Sequence, residues 1–268
     1  MVSAPTAIRV LRKQDPALIA QYDLSSLQSL FLAGEPLDET TAQWVSSALN
    51  VPIIDNYWQT ESGWPILSIA NGVQKQASKF GSPGLPTYGY DVKLIDESTG
   101  EALAGANQKG VVVIEGPLPP GCMQTVWRDD ARFVNTYWKS IPGKLVYNTF
   151  DWGVRDEDGY FFILGRTDDV INVAGHRLGT REIEESITSH PSVAEVAVVG
   201  VADALKGQVA MAFAVLKDPS QTPDEASRMK LEGDIMALVD KQLGAVARPA
   251  RVRFVSTLPK TRSGKMLR

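Results

Sequence analysis

The chain has 268 residues, of which 44% are hydrophobic and 22% are charged, and its formal net charge is −4. This composition excludes a disordered chain and favours about two folded domains. The longest apolar run, residues 209–216, is far shorter than the ~20 residues that a membrane span needs. Residues 1–10 lack the pattern of a secretory signal. We therefore expect a cytoplasmic protein that does not engage a membrane.

Cysteine and histidine are too scarce for a transition-metal site. The single cysteine, Cys122, has no partner for an intramolecular disulfide. Together with His176 and His190, the only histidines, it cannot assemble a cluster of zinc-binding spacing. A disulfide scaffold and transition-metal catalysis are both excluded.

The C-terminal end of the chain is strongly basic. Residues 241–268 contain eight Lys and Arg and no acidic residue. Such a segment indicates binding to phosphate or another polyanion, although a solvated basic tail has the same composition.

The first part of the chain predicts several strands. Apolar runs bounded by turn residues place strands at residues 51–54, 92–95 and 111–114. A hairpin is predicted over residues 152–164, because its Asp-Gly pair tolerates the positive φ of a tight turn. The polar residues 166–169 that follow mark the candidate domain boundary.

Beyond this boundary the pattern is that of a small α+β unit. Residues 181–189 are predicted to be helical, and a capping box at residues 222–225 predicts the start of a second helix. Strands are predicted over residues 196–201, 209–216 and 251–256.

Two groups of polar residues are candidates for nucleotide binding. Residues 56–63 follow an apolar strand and carry hydroxyl, amide and carboxylate groups that can converge on a nucleotide and its Mg²⁺. Asp151 lies between two aromatic residues, where a carboxylate can accept hydrogen bonds from ribose hydroxyls. A polar loop and a capping or ion-paired aspartate are the structural alternatives.

Two further segments combine glycine with charge. Residues 165–177 hold two glycines and several charged side chains at the candidate boundary, and Lys265 follows Gly264 near the end of the chain. A lysine ~4 Å from a phosphate contributes on the order of 4 kcal/mol at an effective dielectric constant of ~20. No dinucleotide-binding, P-loop or esterase glycine motif is present in the sequence.

Five segments, in this order, resemble motifs of the adenylate-forming acyl-CoA synthetase superfamily, and in particular of its short-chain acetyl- and propionyl-CoA synthetases. They are Gly34-Glu35-Pro36 and the segments at residues 57–61, 149–153, 165–179 and 259–265. The resemblance implies an α/β and α+β fold. Residues 1–167 would be the C-terminal portion of the large AMP-binding domain, and residues 168–268 a small mobile C-terminal domain that rotates about Asp168.

The resemblance also implies the reaction. ATP and a carboxylic acid form an acyl-AMP and pyrophosphate, and CoA then displaces AMP. ATP, CoA and Mg²⁺ are the implied substrates and ion. Lys265 resembles the adenylation lysine, which in this family is also a target of a lysine acyltransferase and a deacylase.

The remaining roles are likewise carried over from the resemblance. The implied nucleotide-binding residues are Gly34, Glu35, Pro36, Asp55, Asn56, Tyr57, Trp58, Gln59, Thr60, Asp151, Arg166 and Arg177. Glu61 would approach Mg²⁺, and Ala174 and Gly175 would meet CoA. A structural Mg²⁺ is implied near Thr188, His190 and Val193.

Two departures from the family pattern favour propionate as the acid. Ala33 stands where acetate enzymes carry valine. Phe150 stands where most members have glycine, and propionyl-CoA synthetases also carry phenylalanine there. The smaller Ala33 leaves room for one methylene group, which is worth about 1–3 kcal/mol in discrimination. Trp58 would exclude longer acids.

Three expectations stay open at this point. Acetate is the alternative acid, and a non-catalytic polyanion- or nucleic-acid-binding module is the alternative of another class. The phosphate loop of the family would precede residue 1, so we also expect a C-terminal fragment that is inactive by itself in the full reaction.

Overall fold

The computed structural model describes residues 1–35, 37–141, 143–222, 224–262 and 266–267. The chain divides into two units, Met1–Ile163 and Leu164–Arg268, which we call the N-terminal and C-terminal units. The division that the sequence predicts, between residues 167 and 168, stays a prediction. Within the described ranges, no helix has the length and apolar character needed to cross a membrane.

The N-terminal unit contains nine strands, three α-helices and a π-helical turn among its described residues. They are β1 (Val2–Ser3), α1 (Pro5–Arg12), β2 (Leu30–Ala33), α2 (Glu39–Leu49), β3 (Ile53–Asn56), β4 (Leu67–Ser68), β5 (Leu85–Pro86), β6 (Asp91–Ile95), β7 (Lys109–Glu115), α3 (Asp130–Phe133), the π-helical turn Val134–Trp138, β8 (Val146–Arg155) and β9 (Phe161–Arg166), whose last residues lie past the division between the units.

Two sheets organise this unit. Strands β1, β2 and β3 form a parallel sheet in that order, and β6 to β9 form a four-stranded sheet in chain order. Strand β7 pairs antiparallel with both of its neighbours, and its residues 111–114 are at most 1% exposed, which explains their continuous apolar run. A short antiparallel pair, β4 and β5, lies between them in the chain.

The predicted strands of this unit are confirmed, but several of their ends differ, and β8 begins at Val146 although the hairpin is predicted from residue 152. The strand predicted at residues 51–54 runs instead over Ile53–Asn56. Helix α2 ends at Asn50, which adopts a left-handed conformation (φ +49°), so Val51 and Pro52 serve to turn the chain before the strand begins.

The C-terminal unit is the predicted α+β arrangement. Its elements are β10 (Ile171–Val173), β11 (His176–Leu178), α4 (Thr180–Thr188), β12 (Val193–Asp203), β13 (Gly207–Leu216), α5 (Glu225–Leu243) and β14 (Arg251–Phe254). The sheet order is β11-β10-β13-β12, and β14 pairs parallel with β13. Ile183 and Ile187 of α4 and Ile235 and Val239 of α5 are fully buried in the core of this unit.

The predicted N-cap of the second helix is wrong. The sequence places the capping box on Thr222, but the helix begins at Glu225 and its N-cap is Asp224. The Asp224 carboxylate accepts a hydrogen bond from the Ser227 backbone N–H (2.8 Å), which is the bond that an N-cap side chain supplies. The proline that the prediction placed at the first helical position, Pro223, lies outside the described residues.

Candidate active site

The loops that carry two of the motifs begin at one edge of the parallel sheet. Strands β2 and β3 run in the same direction and end in register, with Ala33 opposite Asn56. Gly34 and Glu35 follow the first strand, and Tyr57 follows the second. Ligands of open α/β sheets bind at the carboxyl ends of such strands, so this edge is where a nucleotide site is expected.

Two of the predicted nucleotide-binding residues, Tyr57 and Gln59, contact the Asp151 carboxylate. Asp151 lies on β8 and is 8% exposed. The Tyr57 hydroxyl donates to Asp151 Oδ2, and Gln59 Nε2 donates to the same oxygen at 2.8 Å. Gln59 Nε2 also donates to the Thr149 carbonyl at 2.6 Å. Two side chains from the loop after β3 therefore fix the orientation of this carboxylate.

Tyr57 keeps its proton in this arrangement. Burial and then the negative charge of Asp151 raise the pKa of Tyr57 well above its usual value of 10. The hydroxyl therefore remains a donor throughout the physiological pH range.

A bulge in β8 brings Asp151 to this position. The register with β7 changes from Val112 opposite Asp151 to Val113 opposite Asn148, so Thr149 and Phe150 are extra residues. Thr149 Oγ1 donates to the Val112 carbonyl at 2.7 Å and accepts from the Asp151 N–H at 3.2 Å. The threonine side chain replaces the hydrogen bonds that the bulge interrupts.

Glu61, which the resemblance assigns to Mg²⁺, lies two residues after Gln59 in the same loop. Its Oε1 accepts a hydrogen bond from the Tyr137 hydroxyl at 3.0 Å. No group of three or more His, Cys, Asp or Glu able to hold a metal occurs among the described residues. A single carboxylate fits Mg²⁺ bound mainly through the phosphates of a nucleotide, because Mg²⁺ commonly takes one or two protein carboxylates beside substrate oxygens.

Two residues predicted to bind the nucleotide also have structural partners. Asn56 Nδ2 donates to the carbonyls of Leu32 (3.1 Å) and Ile54 (3.0 Å), which ties β2 to β3. Glu35 accepts from the Thr6 N–H (2.7 Å) and pairs with Arg9 (3.1 Å), which holds helix α1. Their side chains anchor the sheet, and a nucleotide role for them stays a prediction.

The other predicted residues of this unit differ in their exposure. Gly34 and Thr60 are exposed, Trp58 is 45% exposed, and Ala33 is half-buried. Asp55 borders a small cavity that Ile53 and Ile69 also line. Pro36 lies outside the described residues.

In the C-terminal unit, the predicted CoA-contacting residues form the tip of a hairpin. Ala174 (φ +49°) and Gly175 (φ +85°) join β10 to β11, and both positive φ values are those of a type I′ turn. The Gly175 N–H donates to Asn172 Oδ1 at 3.1 Å. The tip is exposed, with open space where a Gly175 side chain would lie.

The remaining predicted residues of this unit are mostly exposed. Arg166 Nε donates to the proposed hinge residue Asp168 at 3.3 Å. Arg177 is exposed on β11. Thr188, His190 and Val193 share one turn, in which the Val193 N–H donates to the His190 carbonyl at 3.1 Å, and the predicted structural Mg²⁺ there stays a prediction.

Lys265 lies outside the described residues, but the chain on either side of it is described. Lys260 and Met266 form an antiparallel bridge, and the Leu267 N–H donates to the Pro259 carbonyl at 3.0 Å. Lys260 also pairs with Glu195 on β12 at 2.6 Å. These contacts fix the two ends of the segment that carries Lys265.

The structure adds two tyrosines that the sequence analysis missed. Tyr137 holds Glu61, and Tyr147 donates to Gln59 Oε1 at 3.4 Å. Their rings stack with centroids 5.5 Å apart. Burial and then the charge of Glu61 raise the pKa of Tyr147 above its usual value. The three aromatic residues within residues 133–138 were a sequence signal for Tyr137. However, the spacing of aromatic residues does not show whether they belong to the hydrophobic core or to a functional site.

Comparisons with known proteins identify the family of this chain. The AMP-binding enzyme family model matches residues 1–127, and the model of the AMP-binding enzyme C-terminal domain matches residues 182–265. The chain belongs to the adenylate-forming, AMP-binding enzyme family. Its α/β and α+β architecture is thereby confirmed as that of this family.

Individual relatives refine the comparison. The chain is 67% identical, over all of its 268 residues, to propionate–CoA ligase of Escherichia coli strain K12. It is 41% identical over 271 aligned residues, covering 100% of this chain, to acetyl-coenzyme A synthetase of Pyrobaculum arsenaticum. It spans only 42% and 39% of the lengths of these relatives.

A solved structure shows the same fold. The crystal structure of the anthranilate CoA ligase AuaEII in complex with anthranoyl-AMP superposes with a TM-score of 0.79 at 30% identity. The match covers 99% of this chain and 47% of that chain. The match therefore extends over both units of this chain.

Proposed function

We propose that the chain works as the C-terminal part of a propionate–CoA ligase, which forms propionyl-CoA from propionate, ATP and CoA through propionyl-AMP. The observation that carries the proposal is the Asp151 carboxylate, held by Tyr57 and Gln59 at the end of the parallel sheet. Fixed donors leave a carboxylate pre-oriented for ribose hydroxyls, and pre-orientation lowers the cost of binding. The 67% identity to a propionate–CoA ligase supports the same assignment.

In the first half-reaction, the residues of this chain hold ATP while the propionate carboxylate attacks the α-phosphorus and pyrophosphate leaves. Asp151 accepts hydrogen bonds from the ribose hydroxyls, and the loops after β2 and β3 line the base and the phosphates. Lys265 places a positive charge where charge develops on the α-phosphate, with Arg166 and Arg177 as further nucleotide contacts. Glu61 would hold Mg²⁺ together with the phosphates, and the ion would supply neutralisation of the phosphate charge there.

In the second half-reaction, the CoA thiol attacks the acyl carbon and AMP leaves. The exposed turn at Ala174 and Gly175 has no side chain in the way of a close backbone contact, which suits the pantetheine arm of CoA. Asp168 would be the hinge about which the C-terminal domain rotates between the first half-reaction and the second.

The basic C-terminal segment is partly neutralised within its own unit. Arg248 pairs with Asp240 (2.8 Å), Arg251 with Glu232 (2.9 Å) and Lys260 with Glu195 (2.6 Å). Among the described residues of the segment, these three basic side chains have carboxylate partners, which weakens the case for a general polyanion-binding surface. A cytoplasmic location and reversible acylation of Lys265 by an acyltransferase and a deacylase are further parts of the proposal.

The test uses the full-length ligase that contains this chain. We expect ATP–pyrophosphate exchange that depends on added propionate, and a kcat/KM for propionate that exceeds that for acetate by about 10- to 200-fold, the range for one methylene group. Exchange that needs no acid, or a preference for acetate, would contradict the proposal.

Residue 33 offers a matched test of the acid. Ala33→Val narrows the half-buried position at the end of β2, so kcat/KM should fall more for propionate than for acetate. Ala33→Gly, which keeps the space, serves as the control. Equal losses for both acids in Ala33→Val would show that Ala33 does not set the preference.

A further inference from the structure

Phe150 occupies a backbone conformation that a bulky residue rarely adopts. Its φ is +59°, in the left-handed region, within the β8 bulge that also positions Asp151. A non-glycine residue there costs free energy that glycine would avoid, and such strain persists only where surrounding contacts hold the residue in place. Contacts of the Phe150 side chain must therefore offset this cost in free energy.

The Phe150 ring packs against the aromatic cluster that touches Glu61. Its centroid lies 5.9 Å from that of Tyr137, in an edge-on arrangement with an interplanar angle of 73°. Tyr137 is also stacked on Tyr147 at 5.5 Å and lies 5.8 Å from Phe133. Aromatic neighbours on several sides restrict the Tyr137 ring to one orientation.

That orientation aims the Tyr137 hydroxyl at Glu61 Oε1, 3.0 Å away. The main chain of Glu61 is held as well, because its carbonyl accepts a hydrogen bond from the Met123 N–H at 2.6 Å. One carboxylate oxygen of Glu61 is thus fixed by a neutral donor, and this arrangement sets the direction in which the other oxygen faces.

We propose that Tyr137 and Phe150 are positioning residues for the Glu61 carboxylate: the Tyr137 hydroxyl orients it, and the strained Phe150 braces the Tyr137 ring. The inference rests on the proposed function, in which Glu61 meets the Mg²⁺ of ATP. Groups that orient a metal-binding side chain commonly change metal affinity when they are removed.

The experiment measures metal binding directly in the full-length ligase. Mn²⁺ is titrated in the presence of α,β-methylene ATP, and free Mn²⁺ is followed by electron paramagnetic resonance. Tyr137→Phe keeps the ring and removes only the hydroxyl, whereas Phe150→Gly removes the brace and the strain together. We expect both variants to bind Mn²⁺ about tenfold more weakly than the wild type.

A matched control comes from another left-handed residue. Asn107 has φ +61° but lies exposed in the loop between β6 and β7, where its N–H donates to the Arg155 carbonyl. Asn107→Gly relieves the same kind of backbone strain away from Glu61, so its Mn²⁺ affinity should equal that of the wild type. Melting temperatures identify any variant that is not folded.

The outcomes separate this inference from the proposed function. Wild-type Mn²⁺ affinity in a folded Tyr137→Phe ligase that still exchanges pyrophosphate with propionate would overturn the inference alone. Absence of propionate-dependent exchange in the wild-type ligase would overturn the proposed function and the inference with it.

Discussion

At the scale of single residues, the candidate site depends on which polar side chains meet. Tyr57 and Gln59 both donate to Asp151 Oδ2, although 94 and 92 residues separate them from it in the chain. A hydrogen bond to a charged acceptor is stronger than one between neutral groups. The two donors therefore define the direction in which this carboxylate presents itself to a ligand.

Removing one donor should weaken nucleotide binding. In the full-length ligase, Tyr57→Phe keeps the buried ring and deletes the hydroxyl, so we expect the KM for ATP to rise about tenfold, as loss of a hydrogen bond to a charged group implies. Because the pKa of Tyr57 is raised above 10, this contribution should not decline between pH 7 and pH 9 in the wild type.

Tyr160→Phe provides the control for this prediction. Tyr160 donates to the Ala77 carbonyl at 2.6 Å in the same unit, away from Asp151. Its loss should affect stability and leave the KM for ATP unchanged. An unchanged KM in Tyr57→Phe would contradict the role assigned to the Asp151 contacts.

The sequence predicted these nucleotide-binding residues as one group but did not indicate which of them contact Asp151. It assigned residues 55–60 to the nucleotide together, and the structure gives Asn56 bonds to Leu32 and Ile54 while Tyr57 and Gln59 turn to Asp151. Partners this distant in the chain are set by tertiary packing, which local pattern does not contain. Tyr137 was missed for the same reason.

At the scale of elements, ion pairs of Arg9 hold helix α1 to the residues that follow β2. Arg9 pairs with Glu35 at 3.1 Å and with Asp38 at 3.0 Å. Burial raises the pKa of Asp38, but the attraction of Arg9 and the hydrogen bonds from Thr41 outweigh it, so the pKa lies below the usual 3.8. Ionised Asp38 therefore stabilises the folded state above about pH 4, and this contribution is lost as the pH falls through its lowered pKa.

Arg9→Met should destabilise the N-terminal unit by about 0.5–1 kcal/mol at neutral pH, since the pairs are partly exposed. The difference in melting temperature from the wild type should shrink as the pH falls below about 4 and through the lowered pKa of Asp38, because the carboxylate is then lost. Arg12→Met is the control, because Arg12 is exposed in the same last turn of α1. An equal effect of both variants, or a difference that grows in acid, would contradict this account of α1.

The sequence predicted the elements with strong local signals. The apolar strands and the hairpin with its Asp-Gly turn were predicted, although β8 begins at Val146 and not at residue 152. Helix α1 was not predicted, because its packing comes from Glu35 and Asp38 about thirty residues later. The bulge at Thr149 and Phe150 was also missed, since it depends on the pairing with β7.

At the scale of the whole molecule, the motifs divide between the two units. The contacts around Asp151 and Glu61 lie within Met1–Ile163, and the Ala174–Gly175 turn and the segment carrying Lys265 lie within Leu164–Arg268. In the proposed function, Lys265 serves only the formation of propionyl-AMP, and the turn serves only its reaction with CoA. The two half-reactions should therefore respond differently to a change at Lys265.

The most direct test measures both half-reactions of the full-length ligase after Lys265→Ala, with Lys241→Ala, an exposed lysine of the same unit, as the matched control. The account predicts that propionate-dependent ATP–pyrophosphate exchange falls by about 10³-fold, as expected for loss of ~4 kcal/mol in the transition state, while propionyl-CoA formation from supplied propionyl-AMP and CoA is retained. Exchange at the wild-type rate in Lys265→Ala, or equal loss of both half-reactions, would contradict it.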